Sequence, residues 1–172
     1  MNKILLCLIF FGAIICAPSL VSQNHLQVYI FVSEECPACI YMTSDLNLLS
    51  EKYQESADFH LVFVKKNSTQ KSADSFVKKY KLKQFDTILD NAQELCKKLG
   101  GTVTPEAVVL EDTGETLYRG RISNAFYAPG KIRKSGKVID LDVALNYIIQ
   151  HHEVALPWLD AVGCYITYEK KN

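Results

Sequence analysis

Two cysteines, Cys36 and Cys39, stand where an apolar run gives way to a helical pattern, and this junction limits what the chain can fold into. Residues 26–32 are almost all apolar and rich in Val, Ile and aromatic side chains, which predicts a strand buried on both faces of a parallel sheet. Pro37 can then occupy the first turn of a helix without loss. The apolar residues that follow recur at spacings of three and four, on one predicted helical face: Cys39, Met42, Leu46, Leu49 and Tyr53.

Downstream, strand-like and helix-like segments continue to alternate. Residues 59–64 predict a second buried strand, and the apolar periodicity of residues 73–80 predicts a second amphipathic helix. A brief strand is predicted over residues 87–89. Asp90 is predicted to cap a third helix that turns Cys96 inward. The predicted order of elements is therefore a βαβ unit and its following helix, then an inserted short strand and helix.

The last third of the chain predicts a hairpin, a loop and a final helix. Residues 107–110 and 116–119 are separated by a turn-forming composition and are predicted to pair antiparallel. Residues 123–138 show no clear period, so we predict a long surface loop of unassigned role. Asp140 is predicted to cap the last helix, and a tail follows from residue 151. The complete pattern predicts an α/β fold in which helices flank a central mixed sheet.

The N-terminus has the features of a secretory signal peptide. Lys3 supplies a positive charge, residues 4–17 form an apolar run, and small residues lie near Ser22. We expect residues 1–22 to be removed, which leaves residues 23–172 as one exported domain. Because 48% of the residues are hydrophobic, a chain of this length can bury one good core.

Neither a membrane nor nucleic acid is expected as the primary partner. Lysine plus arginine and aspartate plus glutamate each number 19, so the formal net charge of zero gives no field that collects anionic polymers or lipids. The N-terminal apolar run is shorter than the roughly 20 residues a spanning helix needs. Lipid attachment at Cys16 is disfavoured because the bulky Ile15 precedes it, where lipoprotein signals resemble one another in carrying a small residue.

The position of the cysteine pair predicts thiol-disulfide exchange. At a helix start, free amide hydrogens and the helix dipole favour a thiolate, so we expect Cys36 to be an exposed nucleophile with a lowered pKa. Cys39 lies one turn inward and would resolve the mixed disulfide that Cys36 forms with a partner. A structural disulfide and a zinc site are weaker interpretations. The four histidines show no ligand spacing with one another or with the other cysteines, so no metal site is predicted. Exchange between two thiols also implies no organic cofactor.

The cysteine pair, together with Thr104-Pro105 before a later strand, resembles the thioredoxin superfamily over most of the exported length. The resemblance implies a cis Pro105 beside the cysteines, with the backbone of Thr104 presented to a substrate peptide. Pro37 and Ala38, between the cysteines, are expected to line the same substrate-binding surface.

Four stretches resemble exported bacterial redoxins, the proteins grouped with alkyl hydroperoxide reductase and thiol-specific antioxidant proteins; they are residues 35–39, 102–106, 117–122 and 162–166. This resemblance implies a periplasmic protein that acts on protein disulfides or thiols, as a reductant rather than an oxidant. We expect it to be a monomer. Repeated turnover then needs an upstream thiol donor, for which a membrane-bound carrier is one candidate.

Departures from these families keep alternatives open. Thioredoxins resemble one another in a buried acid and a tryptophan where this chain has Ile30 and Glu35, and Tyr29 replaces a proline that peroxiredoxins carry. A thiol peroxidase is therefore a less favoured alternative, as is a non-catalytic copper-carrying or binding module of thioredoxin fold.

The remaining cysteines have less defined expectations. Cys96 is expected to pack in the core, because free cysteine is among the most buried residue types. Cys164 lies in the tail, where a disulfide with Cys96, a contact with the redox site and a contact with a partner all remain open. Trp158 and Tyr165 are expected to pin the tail to the core.

Overall fold

A five-stranded mixed sheet forms the centre of the structure, a computed structural model that describes residues 25–168. In the middle lies β1 (Leu26–Val32), with β2 (Ala57–Phe63) parallel on one side and β5 (Glu106–Leu110) antiparallel on the other. The edges are β3 (Phe85–Leu89), parallel to β2, and β6 (Thr116–Gly120), antiparallel to β5. The predicted mixed sheet and the predicted antiparallel hairpin are confirmed.

A hydrophobic core lies on each face of the sheet, and three helices cover the larger of the two cores. They are α1 (Pro37–Tyr53), α2 (Gln70–Tyr80) and α4 (Asp140–Ile149). Alternate residues of β1 point to opposite faces, so that Ile30 lies in the larger core and Phe31 in the smaller one. The five residues predicted on the inner face of α1 are all buried, because the periodicity of three and four directs them to the sheet.

The third helix is shorter than predicted and begins later. It spans Glu94–Lys98 as α3, preceded by Gln93 in the left-handed conformation (φ 58°). Asp90 is therefore not its N-cap, although its carboxylate accepts hydrogen bonds from the amides of Leu95 and Cys96. The carboxylate reaches these amides from outside the helix, across an intervening turn.

Residues 123–138 are not the featureless surface loop predicted from sequence. They contain a small antiparallel ribbon of β7 (Phe126–Ala128) and β8 (Lys131–Ile132). Ala125 and Phe126 are buried in the larger core. The loop composition hid this ribbon because its strands are too short to show a period.

The C-terminal tail forms a strand that the sequence did not predict. Residues Cys164–Tyr165 form β9, which pairs antiparallel with β4 (Val103–Thr104). Trp158 is half-buried and packs near Tyr118, as expected of an anchor. The same expectation is wrong for Tyr165, whose side chain is 83% exposed. Backbone pairing, rather than the side chain of Tyr165, holds this strand in place.

The predicted signal peptide over residues 1–22, including Cys16, lies outside the described residues. Within residues 25–168, no helix is both long enough and apolar enough to cross a membrane.

Candidate functional site

Cys36 occupies the junction between β1 and α1, where it is the N-cap residue of the helix. Its amide donates to the carbonyl of Ser33 at 3.1 Å, and its carbonyl accepts from the amide of Ile40 at 3.0 Å. The backbone is extended at this point, and the side chain makes no capping hydrogen bond. The sulfur is therefore not committed to holding the helix and is directed to other groups.

Thr104 and Pro105 lie beside this sulfur. The peptide bond between them is cis, which confirms the geometry that the resemblance implied. In its protonated form, the Cys36 thiol donates to the carbonyl oxygen of Thr104 at 3.2 Å. The structure thus brings the helix-start cysteine and the Thr104-Pro105 segment together, although they are far apart in sequence.

A third thiol completes the cluster. The sulfur of Cys164 lies 2.9 Å from that of Cys36, in hydrogen-bonding geometry. Cys164 is opposite Thr104 in the pairing of β9 with β4, so the backbone register sets its position. The sequence alone leaves the role of Cys164 open, and the similarity of residues 162–166 to redoxin sequences is the one signal that it offers. All four cysteines of residues 25–168 are free thiols.

Cys36 is not the exposed nucleophile that was predicted. Its exposed fraction is 3%, and that of Thr104 is 2%. The prediction failed because it considered only the helix start, whereas the tail strand lies across it. Of the expected substrate-binding residues between the cysteines, Pro37 is exposed but Ala38 is 7% exposed and turned inward.

Four hydrogen bonds and one opposing effect set the ionisation of Cys36. Its pKa is lowered from the ordinary 9.0 to about 4. The Cys39 thiol lowers the pKa most, burial opposes it, and hydrogen bonds from the side chains of Cys164 and Thr104 to the Cys36 sulfur lower it further. The backbone amide of Cys39, at the helix start, makes a smaller contribution. The predicted lowering is present, but a neighbouring thiol causes more of it than the helix start does.

The two neighbouring thiols keep their protons. Burial raises the pKa of Cys39 well above 9.0, and its interactions with Cys36 raise it further. Cys164 is exposed on the whole, but partial desolvation of its thiol raises its pKa to about 11, again with a contribution from Cys36. At neutral pH, one thiolate at Cys36 is therefore flanked by two protonated thiols.

A buried carboxylate holds β4 next to the thiols. Glu106 is almost fully buried, and its Oε2 accepts hydrogen bonds from the amides of Thr102 at 2.6 Å and Val103 at 3.4 Å. These bonds satisfy backbone donors that the sheet does not use. Glu106 therefore positions the strand that presents Thr104 to Cys36.

Cys96 lies apart from the cluster, on the opposite face of the sheet. It is fully buried in the smaller core, with its sulfur 2.9 Å from the hydroxyl oxygen of Tyr168. Cys164 contacts Cys36 instead, so the alternative of a Cys96-Cys164 pairing is not the arrangement found. The expectation that Cys96 has a packing role is confirmed.

Comparison with known proteins gives one family match. A family model described as thioredoxin-like matches residues 24–116, more than half of the 172 residues. A search of curated protein sequences gives no significant match.

Solved structures give likenesses of fold. A hypothetical protein from Sinorhizobium meliloti 1021 is 18% identical with a TM-score of 0.71, covering 87% of this chain and 82% of its own. An uncharacterized conserved protein from Geobacillus kaustophilus is 16% identical with a TM-score of 0.72, covering 87% and 80% respectively. A secreted disulfide oxidoreductase from Mycobacterium tuberculosis is 19% identical over 55% of this chain and 66% of its own, with a TM-score of 0.47. At these identities the likeness concerns the fold alone, and the first two structures, together with the family match, confirm the predicted fold class.

Proposed function

Because the chain belongs to the thioredoxin-like family, we propose that it is a thiol-disulfide oxidoreductase acting on partner proteins through Cys36 and Cys39. The observation that carries this proposal is the lowered pKa of Cys36 at a helix start, with its sulfur against the backbone of Thr104. A thiolate, rather than a thiol, is the species that attacks disulfides. Fixed beside a backbone segment, it can meet an extended peptide in a defined orientation.

The proposed reaction transfers two electrons to the partner disulfide. The Cys36 thiolate attacks one partner sulfur, a mixed disulfide forms, and the other partner sulfur leaves as a thiolate that takes up a proton. Cys39 then loses its proton and attacks Cys36, which releases the second partner thiol and leaves a Cys36-Cys39 disulfide. The raised pKa of Cys39 keeps this thiol protonated and unreactive until a mixed disulfide removes the negative charge of Cys36.

The finer assignments rest on the resemblance and the N-terminal pattern. We place the protein among exported bacterial redoxins, with a signal peptide over residues 1–22 and a functional domain over residues 23–172. It acts as a periplasmic reductant and a monomer, and an upstream thiol donor, membrane-bound in the simplest case, restores its thiols.

A turnover assay tests the catalytic proposal. The purified protein is given a protein disulfide substrate and excess dithiothreitol, and the rate of substrate reduction is measured against dithiothreitol alone. We expect acceleration by the native protein and its loss in Cys36→Ser. Cys96→Ala is the matched control, since it removes a buried cysteine on the other face of the sheet. Equal rates for the native protein and Cys36→Ser would contradict the proposal.

A further inference from the structure

We infer that Cys164 is a third exchanging thiol of this centre, an internal partner that forms a disulfide with Cys36 while β9 lies on β4. The inference rests on the proposed function, because it requires Cys36 to take part in disulfide exchange. It adds a catalytic residue from the tail to the pair at the helix start.

The first support is the position of the sulfur. The Cys164 and Cys36 sulfur atoms are 2.9 Å apart, and a disulfide needs about 2.05 Å. The two sulfur atoms therefore need to approach by less than one ångström to form the bond.

The second support is the way in which the tail is held on both sides of Cys164. Before it, the carbonyl of Leu159 accepts from the amide of Arg121 at 3.0 Å. After it, the amide of Ile166 donates to the carbonyl of Thr102 at 3.0 Å, and the Tyr168 hydroxyl donates to the carbonyl of Gly101 at 2.7 Å. These contacts fix the register in which Cys164 faces Thr104, so its approach to Cys36 is built into the fold.

The third support is the residue before Cys164. A Cβ atom added to Gly163 would lie 2.0 Å from the carbonyl oxygen of Thr104 and 2.7 Å from its carbonyl carbon. Only glycine allows the tail backbone to come this close to the segment that leads into Pro105. The tail therefore occupies the place of a substrate strand, and an extended strand with a small residue before its cysteine is the class of partner that fits.

The exchange step balances without an added oxidant. Starting from the Cys36-Cys39 disulfide, Cys164 gives up its proton and its sulfur attacks the sulfur of Cys36. The Cys36-Cys164 bond forms, the Cys36-Cys39 bond breaks, and Cys39 leaves as a thiolate that takes up a proton. In that starting state Cys36 carries no negative charge, so its contribution to the raised pKa of Cys164 is absent. The reverse step, attack by Cys39, frees the tail again.

The consequence is a closed form in which the tail protects the centre. An incoming partner strand and β9 both require the backbone of β4, so a partner binds only after the tail has left. The low exposure of Cys36 is the signature of this closed form.

Disulfide mapping in variants that each replace one cysteine tests the inference. Cys39→Ser is incubated with oxidised glutathione at neutral pH, quenched with acid, alkylated, digested and analysed by mass spectrometry. We expect glutathione to attach to Cys36 and then to be displaced by Cys164, leaving a Cys36-Cys164 disulfide with no bound glutathione. A lasting glutathione adduct on Cys36, with Cys164 alkylated, would overturn the inference.

Two further samples separate this inference from the proposed function. Cys164→Ser should still form the Cys36-Cys39 disulfide. If it does, and the glutathione adduct on Cys36 of Cys39→Ser persists, only the role of Cys164 is refuted. Failure of both variants to form any disulfide at Cys36 would refute both proposals. Partly oxidised native protein provides a check that depends on no substitution: peptides with Cys36 joined to Cys39 and to Cys164 are both expected, and absence of the second counts against the inference.

Discussion

Replacing Gly163 with alanine should open the centre without touching any thiol. The added methyl group would lie 2.0 Å from the Thr104 carbonyl oxygen, whereas ordinary van der Waals contact begins at 3.4 Å. Either β4 or the tail must give way. The carboxylate of Glu106 holds β4 from the core side, and β4 leads directly into β5 of the central sheet. The tail is joined to the fold by a two-residue strand pairing, by single hydrogen bonds and by partly buried side chains such as Trp158 and Tyr168. We therefore expect the tail to move.

The size of the effect follows from the cost of overpacking. Such insertions cost about 1–3 kcal/mol. If this cost falls on the closed form alone, the ratio of open to closed protein rises about 5- to 140-fold, since 1.4 kcal/mol is about tenfold. Cys36 is buried in the closed form and is already a thiolate at neutral pH, so its reactivity should follow the open fraction.

The assay is the rate at which iodoacetamide alkylates Cys36 in reduced protein at neutral pH, read from the Cys36 peptide by mass spectrometry. Gly114→Ala is the matched control. That glycine has a left-handed φ of 86° and no atom within 4 Å of an added Cβ, and it lies in the hairpin turn at the end of β5 that is away from Thr104. We expect a rise of about 5- to 140-fold for Gly163→Ala and none for the control. A Gly163→Ala rate equal to that of the native protein would refute the reasoning.

Three other outcomes follow from the same contacts. Cys164→Ala should raise the pKa of Cys36 from about 4, because it removes one hydrogen bond that stabilises the thiolate. Ultraviolet absorbance of the thiolate as a function of pH measures this pKa, and an unchanged titration midpoint would count against the contact. Since the pKa of Cys36 is lowered on folding, its thiolate stabilises the reduced protein fully above about pH 9, and this stabilisation should be lost as pH falls towards 4. Denaturant unfolding at several pH values measures it: the difference in free energy of unfolding between the native protein and Cys36→Ser should narrow as the solution is acidified. Glu106→Ala should lower the free energy of unfolding by about 1–3 kcal/mol, since it leaves the amides of Thr102 and Val103 unpaired. Urea denaturation measures this loss, with Glu106→Gln as the comparison, and equal stability of the two variants would contradict this role.

The sequence was sufficient where local pattern decides structure. The apolar run of β1 and the periodicity of α1 arise from neighbouring residues, so the placement of Cys36 at a strand-to-helix junction could be predicted. The cis bond before Pro105 came from family resemblance, because most X-Pro bonds in folded proteins are trans.

The tail could not be predicted in the same way. With only two residues, β9 shows no alternation, and its pairing with β4 joins segments far apart along the chain. Cys164 therefore had no local signal for its place beside Cys36, and the burial of Cys36 was missed with it. The clearest clue, Gly163, becomes meaningful only when the distance to the Thr104 carbonyl is known.

The reduction potential of the Cys36-Cys39 pair tests the central claim most directly. Native protein and Cys164→Ser are equilibrated in dithiothreitol or glutathione redox buffers, trapped with acid and an alkylating agent, and quantified by mass spectrometry. We predict a reversible two-electron couple, near the roughly −270 mV of thioredoxin if the protein is a reductant. Thiols that show no reversible couple across these buffers would contradict a role for Cys36 and Cys39 in disulfide exchange.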